Sequence, residues 1–489
     1  MSSISSANGA LSSPGIGSGL DVASIVSKLV DIESQPLNDL KSAAGQIQTT
    51  ISSFGQLQSL VGSLQSAAQK LSNPSLWKQT TATSSNTGAV SITSTSGAAA
   101  AGNYTVNVTS LAQSQNLASS AFADSTAQPG AGTLSIQLGT WGAGNSSFTQ
   151  ASGSSTINVS ITAGQTLADI RDKINAANAG VTAAIVTDAS GARLTIASSS
   201  TGLANQVRIT ATDTGGASLP PGTGLGALAY APDTGAGGLT QTQAASDAKA
   251  TINGLSIQSA SNTLSNVLDG ATLQLNGLTT SPATVSVSSD TGSATAAINA
   301  FVSAYNSLNG YLTNATAYNA ATKVAGPLQG DSTATSLRTN MRTLLMGDGG
   351  GSSVFARLGD VGFSTAKDGT LSVDGSKFTA AMGNMSELGK LFSNVDSTNS
   401  AKNGFGKLFN DFTNGQIGFD GSITSRTSGL NASLQRNQDD QDAMSLRIQQ
   451  YQDRLNKQYT ALDTAMAQMS SLQNYVTQQI NAFNASQSR

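Results

Sequence analysis

The sequence predicts a multidomain α+β protein in which long N- and C-terminal coiled-coil helices form a stalk, or leg, with β-rich head domains inserted at its far end. Apolar residues recur every three or four positions near both ends of the 489-residue chain. Between the two ends they recur at every second position, which is typical of strands. The last sixty residues, 430–489, contain neither Gly nor Pro, although the chain has 51 glycines. Both ends are therefore expected to be helical.

The N-terminal helix is expected to follow a disordered start. Residues 1 to about 15 are rich in Ser and Gly, and residues 1–37 are interpreted as the disordered or helical tip of the leg. Ser18 is a candidate N-cap, with Asp21 three positions later in a variant of the capping box. Pro36 either ends this helix or opens the next one in its first turn.

A second helical pattern continues to the pair Asn73 and Pro74, where it is expected to end. Residues 38–75 and 289–430 are predicted to form one helical leg domain. Because both chain ends carry heptads, we expect them to pack against each other. The positions of this seam that are predicted to bind a partner are Leu40, Ile47, Ile51, Phe54 and Leu64.

The middle of the chain consists of short β-branched runs separated by Gly, Asn, Asp and Ser. Residues 76–120 and 240–288 are predicted to form one β-rich head domain, and residues 121–239 a second one inserted in it. One helix is expected over residues 166–177. The Gly- and Pro-rich tract 214–238 is interpreted as a mobile loop or linker between the two.

After Asp290 the helical period returns, and residues 363–378 contain two Asp-Gly pairs that indicate a hairpin. Residues 431–489 are predicted to form the C-terminal coiled-coil helix. Its apolar seam has a mean spacing of about 3.5 residues, and glutamines occupy the other faces. The seam indicates a long partner, although a plain intramolecular hairpin arm fits the pattern as well. The predicted partner-binding positions are Ile448, Leu455, Leu462, Met466, Met469, Val476 and Ile480.

Composition excludes several classes of function. With 24 basic and 27 acidic residues and no basic block, nucleic acid is not an expected partner. No 18-residue apolar run and no Sec-type signal are present, so neither membrane insertion nor standard secretion is expected. The absence of Cys and His removes the usual metal ligands and the commonest general base. We therefore expect a structural protein that is not an enzyme and that needs no cofactor or metal.

Candidate sites have plainer explanations. The Ser75/Lys78 and Ser246/Lys249 pairs match the spacing of a Ser-Lys nucleophile, but no companion motif accompanies them in this Ser-rich chain. The acidic residues at 439, 440 and 442 are interpreted as a solvated helix face. Two tryptophans, at positions 77 and 141, are candidates for ligand recognition or for ordinary packing.

Several motifs, in a shared order, resemble one family of bacterial flagellar proteins. Residues 169–183 are similar to the "IN" repeat of flagellins and hook-associated proteins. The motifs that carry the family resemblance are residues 17–26, 33–37, 250–255, 261–264, 269–273, 300–306 and 367–374. By these motifs the chain resembles the flagellar filament cap family, FliD, also called hook-associated protein 2.

This resemblance implies a closed ring, commonly a homopentamer, at the distal tip of the filament. It implies that the ring promotes the insertion and polymerisation of exported flagellin, with helical legs among the flagellin subunits, and so supports motility. It also implies secretion by the flagellar export route to an extracellular position, and an export chaperone bound at the C-terminal helix. Two alternatives remain open at this point: an adhesin whose β head binds host glycans, and a hook–filament junction or flagellin-like subunit.

Overall fold

The computed structural model describes residues 21–487, apart from the side chains of residue 266 and of residues 485–487. The disordered start expected for residues 1 to about 15 lies outside this range. The helices are α1 Val22–Glu33, α2 Gln35–Ser72, α3 Leu167–Ala176, α4 Thr291–Thr316, α5 Ser332–Met346, α6 Gly375–Ala381, α7 Met385–Ser393, α8 Phe405–Ile417 and α9 Ser422–Gln487.

The strands, all paired antiparallel, fall mostly in the middle of the chain. They are β1 Thr80–Ser84, β2 Val90–Thr95, β3 Gly102–Ser110, β4 Asn116–Ser119, β5 Gly132–Trp141, β6 Phe148–Gln150, β7 Ile157–Ile161, β8 Val181–Asp188, β9 Gly191–Ser198, β10 Gln206–Thr212, β11 Tyr230–Ala231, β12 Ala236–Gly237, β13 Leu239–Gln243, β14 Ala248–Ile252, β15 Leu255–Ser259, β16 Thr263–Leu268, β17 Ala271–Leu275, β18 Ala283–Ser289, β19 Tyr318–Asn319, β20 Val324–Ala325, β21 Phe363–Thr365 and β22 Leu371–Val373.

Contacts divide the chain into two compact units. The helical unit combines Met1–Pro74 with Ala294–Arg489, and the β-rich unit is Ser75–Ser293. The mixed helix and sheet content, with long terminal helices and a β-rich middle, confirms the predicted fold class.

In the helical unit, the first two helices follow one another almost without a break. Ser18, the predicted N-cap, lies outside the described residues, and Asp21 itself occupies the N-cap position, where its side chain accepts a hydrogen bond from the backbone N–H of Ser24 at 3.0 Å. Pro36 stands in the first turn of α2, which is the second of its two predicted roles. Helix α2 ends before Asn73, as predicted.

Helix α9 is the longest element and confirms the predicted C-terminal helix. It begins at Ser422, earlier than expected, and passes through Gly429 without interruption. Both α1 and α2 pack against it. The two ends of the chain therefore associate as the heptads predicted.

The core of the helical unit contains large aromatic side chains from α4 and α8. Phe301 and Phe409 meet edge to face with ring centroids 5.0 Å apart, and Tyr305 packs on Phe409 at 6.4 Å. The predicted hairpin is present as β21 and β22. Its second Asp-Gly pair has another role, because the Asp374 carboxylate accepts from two backbone N–H groups and caps α6.

The β-rich unit contains two hydrophobic cores. One lies between a five-stranded sheet in the order β1-β18-β3-β14-β15 and a three-stranded sheet in the order β16-β17-β2. Alternate residues of these strands, such as Val106, Val285 and Leu273, supply the core. Strand β1 pairs with β18, and β2 pairs with β17. This core therefore brings together the first and the last strands of the unit.

The second core is formed by residues between Leu117 and Leu239. Its sheets are ordered β12-β11-β10-β5-β6, with β7 also on β5, and β13-β4-β9-β8. Helix α3 confirms the helix expected at 166–177 and begins with a full capping box between Thr166 and Asp169.

The interpretation of residues 214–238 as a mobile linker is wrong. This tract contributes Leu225, Leu228 and Tyr230 to the second core, and it contains β11 and β12 of the first of its sheets. Glycine is required here for close packing. A Cβ on Gly238 would lie 2.4 Å from the backbone of Ala227.

Candidate interaction surface on the C-terminal helix

The first half of the α9 seam is covered by the rest of the helical unit. Ile448 and Leu455 are each only 8% exposed. Val26 of α1 is buried too. The Arg447 guanidinium pairs with the Glu33 carboxylate at the end of α1, with its Nε 3.1 Å from the carboxylate oxygen. These contacts fix α1 beside the middle of α9.

The second half of the seam is exposed in the described part of the chain. Its apolar side chains continue the same spacing but are between 39% and 66% exposed. We refer to them as the C-terminal stripe: Leu462, Met466, Met469, Leu472, Val476 and Ile480. A row of this length, on a single helix face, is the kind of surface that a partner covers.

The surroundings of the C-terminal stripe are polar but almost without charge. Between Asp463 and the end of the described helix the sequence contains no Lys, Arg, Asp or Glu. Gln, Asn, Ser, Thr and Ala occupy most of the remaining positions. A partner would therefore be held by apolar burial and hydrogen bonds, with little contribution from ion pairs.

The predicted seam positions on α2 have mixed placements. Phe54 and Leu64 are fully buried within the helical unit, where they serve its core. Leu40, Ile47 and Ile51 are half-buried. Tyr475, which sequence reasoning missed because it falls outside the heptad positions, is exposed beside the C-terminal stripe.

The other candidate residues do not assemble into a site. The Ser246 hydroxyl donates to the Leu111 carbonyl at 2.9 Å. Trp77 and Trp141 are both buried, so the recognition role considered for them is replaced by packing. Trp141 also donates from its indole N–H to the Val207 carbonyl at 3.3 Å.

Within residues 21–487, no group of three or more carboxylates is placed to hold a metal ion. In the same range, no helix is both long enough and apolar enough to cross a membrane.

Comparison with protein families matches most of the chain. A model of the N-terminus of flagellar hook-associated protein 2 matches residues 18–115, and a model of its C-terminus matches residues 245–471. The flagellin hook IN motif matches residues 147–200, which include the repeat recognised in the sequence.

Full-length relatives show the same likeness. The chain is 30% identical over 487 residues to the A-type flagellar hook-associated protein 2 of Pseudomonas aeruginosa, covering 96% of this chain and 97% of that one. It is 33% identical over 480 residues to the flagellar hook-associated protein 2 of Escherichia coli K12, covering 96% and 98%. The crystal structure of domains D1-D2-D3 of the Escherichia coli flagellar cap protein FliD superposes with a TM-score of 0.63. That structure is 30% identical and covers 78% of this chain and 99% of its own.

The chain has long terminal helices that pack together and, between them in the sequence, a β-rich segment. Together with the matches above, this fold identifies a structural protein of the flagellum, of the filament-cap class. The chain belongs to the flagellar hook-associated protein 2 family. It caps the flagellar filament at its tip, which it reaches by the flagellar export route. These findings favour neither the adhesin nor the junction-subunit alternative.

Proposed function

We propose that the protein forms a closed homopentameric ring at the distal tip of the filament, where it promotes the insertion and polymerisation of exported flagellin. The observation that supports the contact with flagellin is the C-terminal stripe of α9, and the ring is proposed from the family to which the chain belongs. The helical unit covers the first half of the seam and leaves Leu462 46% exposed, with five further stripe residues beyond it. Such a helix is suited to lie among flagellin subunits as a leg.

The partner-binding seam is proposed in two parts. Leu40, Ile47, Ile51, Phe54, Leu64, Ile448 and Leu455 hold the leg together, and Leu462, Met466, Met469, Val476 and Ile480 face flagellin. Helices gain most of their stability from packing, so docking also rigidifies the exposed half. Because few charges are involved, docking is expected to be insensitive to salt.

Before export, the same stripe is proposed to bind a dedicated chaperone. An exposed apolar row is an aggregation hazard in an unassembled chain, and a chaperone that covers it removes that hazard. Chaperone and flagellin would then compete for one surface. Glycan binding gains no support, because both tryptophans are buried.

The domain division also remains a proposal. The helical leg would comprise residues 38–75 and 289–430, with the tip at 1–37 and the terminal helix at 431–489. The two separate cores of the β-rich unit support a head domain of residues 76–120 and 240–288 and a second one of residues 121–239 inserted in it. No enzymatic activity is proposed, so substitution of Lys78 and Lys249 by Met is expected to leave filament growth intact.

Electron microscopy and a matched pair of substitutions test the leg and the ring. Purified protein is expected to form closed rings, whereas a junction or flagellin-like subunit would form open filaments. In cells, Val476→Asp places a charge in the stripe and is expected to release flagellin into the medium. Gln478→Asp, on the opposite side of α9, is the control and should leave filaments normal. Normal filaments from Val476→Asp would contradict the role of the stripe.

A further inference from the structure

Two neighbouring positions of the C-terminal stripe are methionines. Met466 and Met469 are three residues apart, which places them side by side on one face of α9. Met466 is 39% exposed and Met469 is 66% exposed. Leu462 precedes the pair by four residues and Leu472 follows it by three, so both thioethers lie within the apolar row. Both sulfurs are therefore accessible to small molecules dissolved in water.

The other methionines of the described residues have different surroundings. Met341 and Met385 are buried in the core of the helical unit, and Met382 and Met444 are half-buried. Met346, the last residue of α5, is 72% exposed but lies outside the stripe. In the described part of the chain, two exposed methionines adjoin one another only in the stripe.

Oxidation to the sulfoxide is the characteristic reaction of an accessible thioether. With hydrogen peroxide, a lone pair of the sulfur attacks one peroxide oxygen, and the O–O bond breaks as the S–O bond forms. The departing oxygen takes up the proton of the transferred hydroxyl and leaves as water. The sulfur is thus oxidised by two electrons and the peroxide is reduced. Since the reaction needs no neighbouring base, access of peroxide to the sulfur decides which methionine reacts.

We infer that Met466 and Met469 form an oxidation site that changes the C-terminal stripe from apolar to polar. A sulfoxide oxygen accepts hydrogen bonds strongly, and its burial against an apolar partner costs free energy. Two adjacent sulfoxides interrupt the row between Leu462 and Leu472. The oxidised protein therefore binds flagellin weakly. The inference rests on the proposed docking of the stripe and adds a means of regulating it.

Docking and oxidation exclude one another at this site. A partner that covers the stripe keeps peroxide away from the sulfurs, so the unassembled protein is the form that reacts. The change is reversible, because methionine sulfoxide reductases return both epimers of the sulfoxide to the thioether. A flexible thioether also adapts to more than one partner, which suits a stripe proposed to meet a chaperone and flagellin in turn. Leucine at the same positions would be apolar but inert to peroxide.

Peptide mass spectrometry after brief treatment with hydrogen peroxide measures the modification in the full-length protein. Met466 and Met469 are expected to react at least about tenfold faster than Met341, which is fully buried. Met346 is the reference for an exposed thioether and should react about as fast as Met469. Stripe methionines that react as slowly as Met341 would overturn the inference.

Matched leucine variants test what the modification does. Purified protein is sedimented with isolated flagellar filaments that lack their own cap, either untreated or after treatment with peroxide and its removal. Treatment is expected to weaken binding of the wild type by at least about tenfold, and methionine sulfoxide reductases should restore it. The double variant Met466→Leu/Met469→Leu keeps the apolar volume and should bind equally well before and after treatment. Met346→Leu removes an exposed thioether outside the stripe and should stay as sensitive as the wild type.

The outcomes separate this inference from the proposed docking. Untreated wild-type protein that does not sediment with filaments would overturn the docking and the oxidation switch together. Wild-type protein that binds equally before and after treatment, with Met466 and Met469 both converted to sulfoxides, would overturn the switch alone. Loss of binding by the treated double leucine variant would place the sensitive group elsewhere and would also overturn it.

Discussion

Glu387 ties the glycine-rich segment 347–353 to α7. Its carboxylate accepts hydrogen bonds from the Lys390 ammonium at 2.6 Å, the Ser353 N–H at 2.7 Å and the Ser352 hydroxyl at 2.9 Å. The hydrogen bond from Lys390, followed by those from the two serines, lowers the pKa of Glu387 from 4.5 to about 2. The charged form is therefore the one that holds the segment.

This lowered pKa predicts the pH dependence of the segment. A carboxyl group whose pKa is depressed on folding contributes stability above its unfolded pKa of 4.5, and the contribution is lost as the pH falls toward about 2. Glu387→Gln is therefore expected to lower the Tm at pH 7 and to have the same Tm as the wild type near pH 2. Thermal unfolding followed by circular dichroism between these limits measures the difference. A constant gap across the whole range would contradict the assignment.

Asn175 covers part of an open sheet edge. Strand β8 is the last strand of its sheet, so one side of its backbone lacks a neighbouring strand. The Asn175 side chain, on α3, accepts from the Ala183 N–H at 2.7 Å and donates to the Ala183 carbonyl at 2.9 Å. This carboxamide takes the place of a strand and lies in the segment that matches the flagellin hook IN motif.

Removal of this carboxamide should weaken the second core. Asn175→Ala loses both hydrogen bonds, and we expect the free energy of unfolding to fall by about 1–2 kcal/mol. Both tryptophans of the chain lie in the β-rich unit, so urea unfolding followed by tryptophan fluorescence reports this change. Asn158→Ala, an exposed asparagine of β7, should change the value by less than about 0.5 kcal/mol. Equal effects from both would show that Asn175 has no special role.

At the scale of elements, α9 is one helix with two environments. Leu455 is buried against the rest of the helical unit, whereas Leu462, two turns later, is in the exposed part. The same substitution should therefore have different consequences at the two positions. Leu455→Asp is expected to destabilise the free protein, because it buries an unpaired charge.

Leu462→Asp should leave the free protein within about 0.5 kcal/mol of the wild type and yet prevent docking in the filament. Urea unfolding of the purified variants and flagellin lost to the medium measure the two effects. Amide hydrogen exchange should also be slow around Leu455 and fast beyond Leu462 in the free protein. Beyond Leu462, it should become slow in the filament-bound cap. Slow exchange along the whole of α9 in the free protein would contradict this division.

The elements differ in how far sequence predicts them. Heptads predicted α2, and heptads together with the absence of Gly and Pro from residues 430–489 predicted most of α9, because helix periodicity is local information. The tract 214–238 was wrongly predicted to be a mobile linker, because glycine is common both in flexible segments and at positions where backbones pack closely. A Cβ on Gly226 would lie 2.2 Å from the carbonyl oxygen of Pro220, which no side chain could tolerate, and the neighbouring Leu225 is buried. Only the tertiary contact distinguishes the two. Likewise, the stripe was predicted as a seam, but which half is covered depends on where α1 and α2 pack against α9, which is tertiary information.

At the scale of the whole molecule, the two units should unfold as separate cooperative blocks. Each has its own core, and most of the helix lies in one while both tryptophans lie in the other. In urea, circular dichroism at 222 nm and tryptophan fluorescence are therefore expected to give different midpoints. The fragment Ser75–Ser293 should unfold cooperatively with the fluorescence midpoint of the full chain. A fragment without a cooperative transition would contradict the independence of the β-rich unit.

The pairing of β1 with β18 has a consequence for a chain that emerges from an export channel residue by residue. Thr80 of β1 pairs with Ser289 of β18. The five-stranded sheet that contains both strands therefore cannot be completed until nearly the whole β-rich unit has left the channel. The second core needs only residues between Leu117 and Leu239, and it can form earlier. Once compact, it shortens the flexible loop between β1 and β18 and so lowers the entropy lost on closing it. Helices α2 and α9, from opposite ends of the chain, meet last. The nesting of the fold thus sets an order of maturation, from the head outward to the leg, whichever end emerges first.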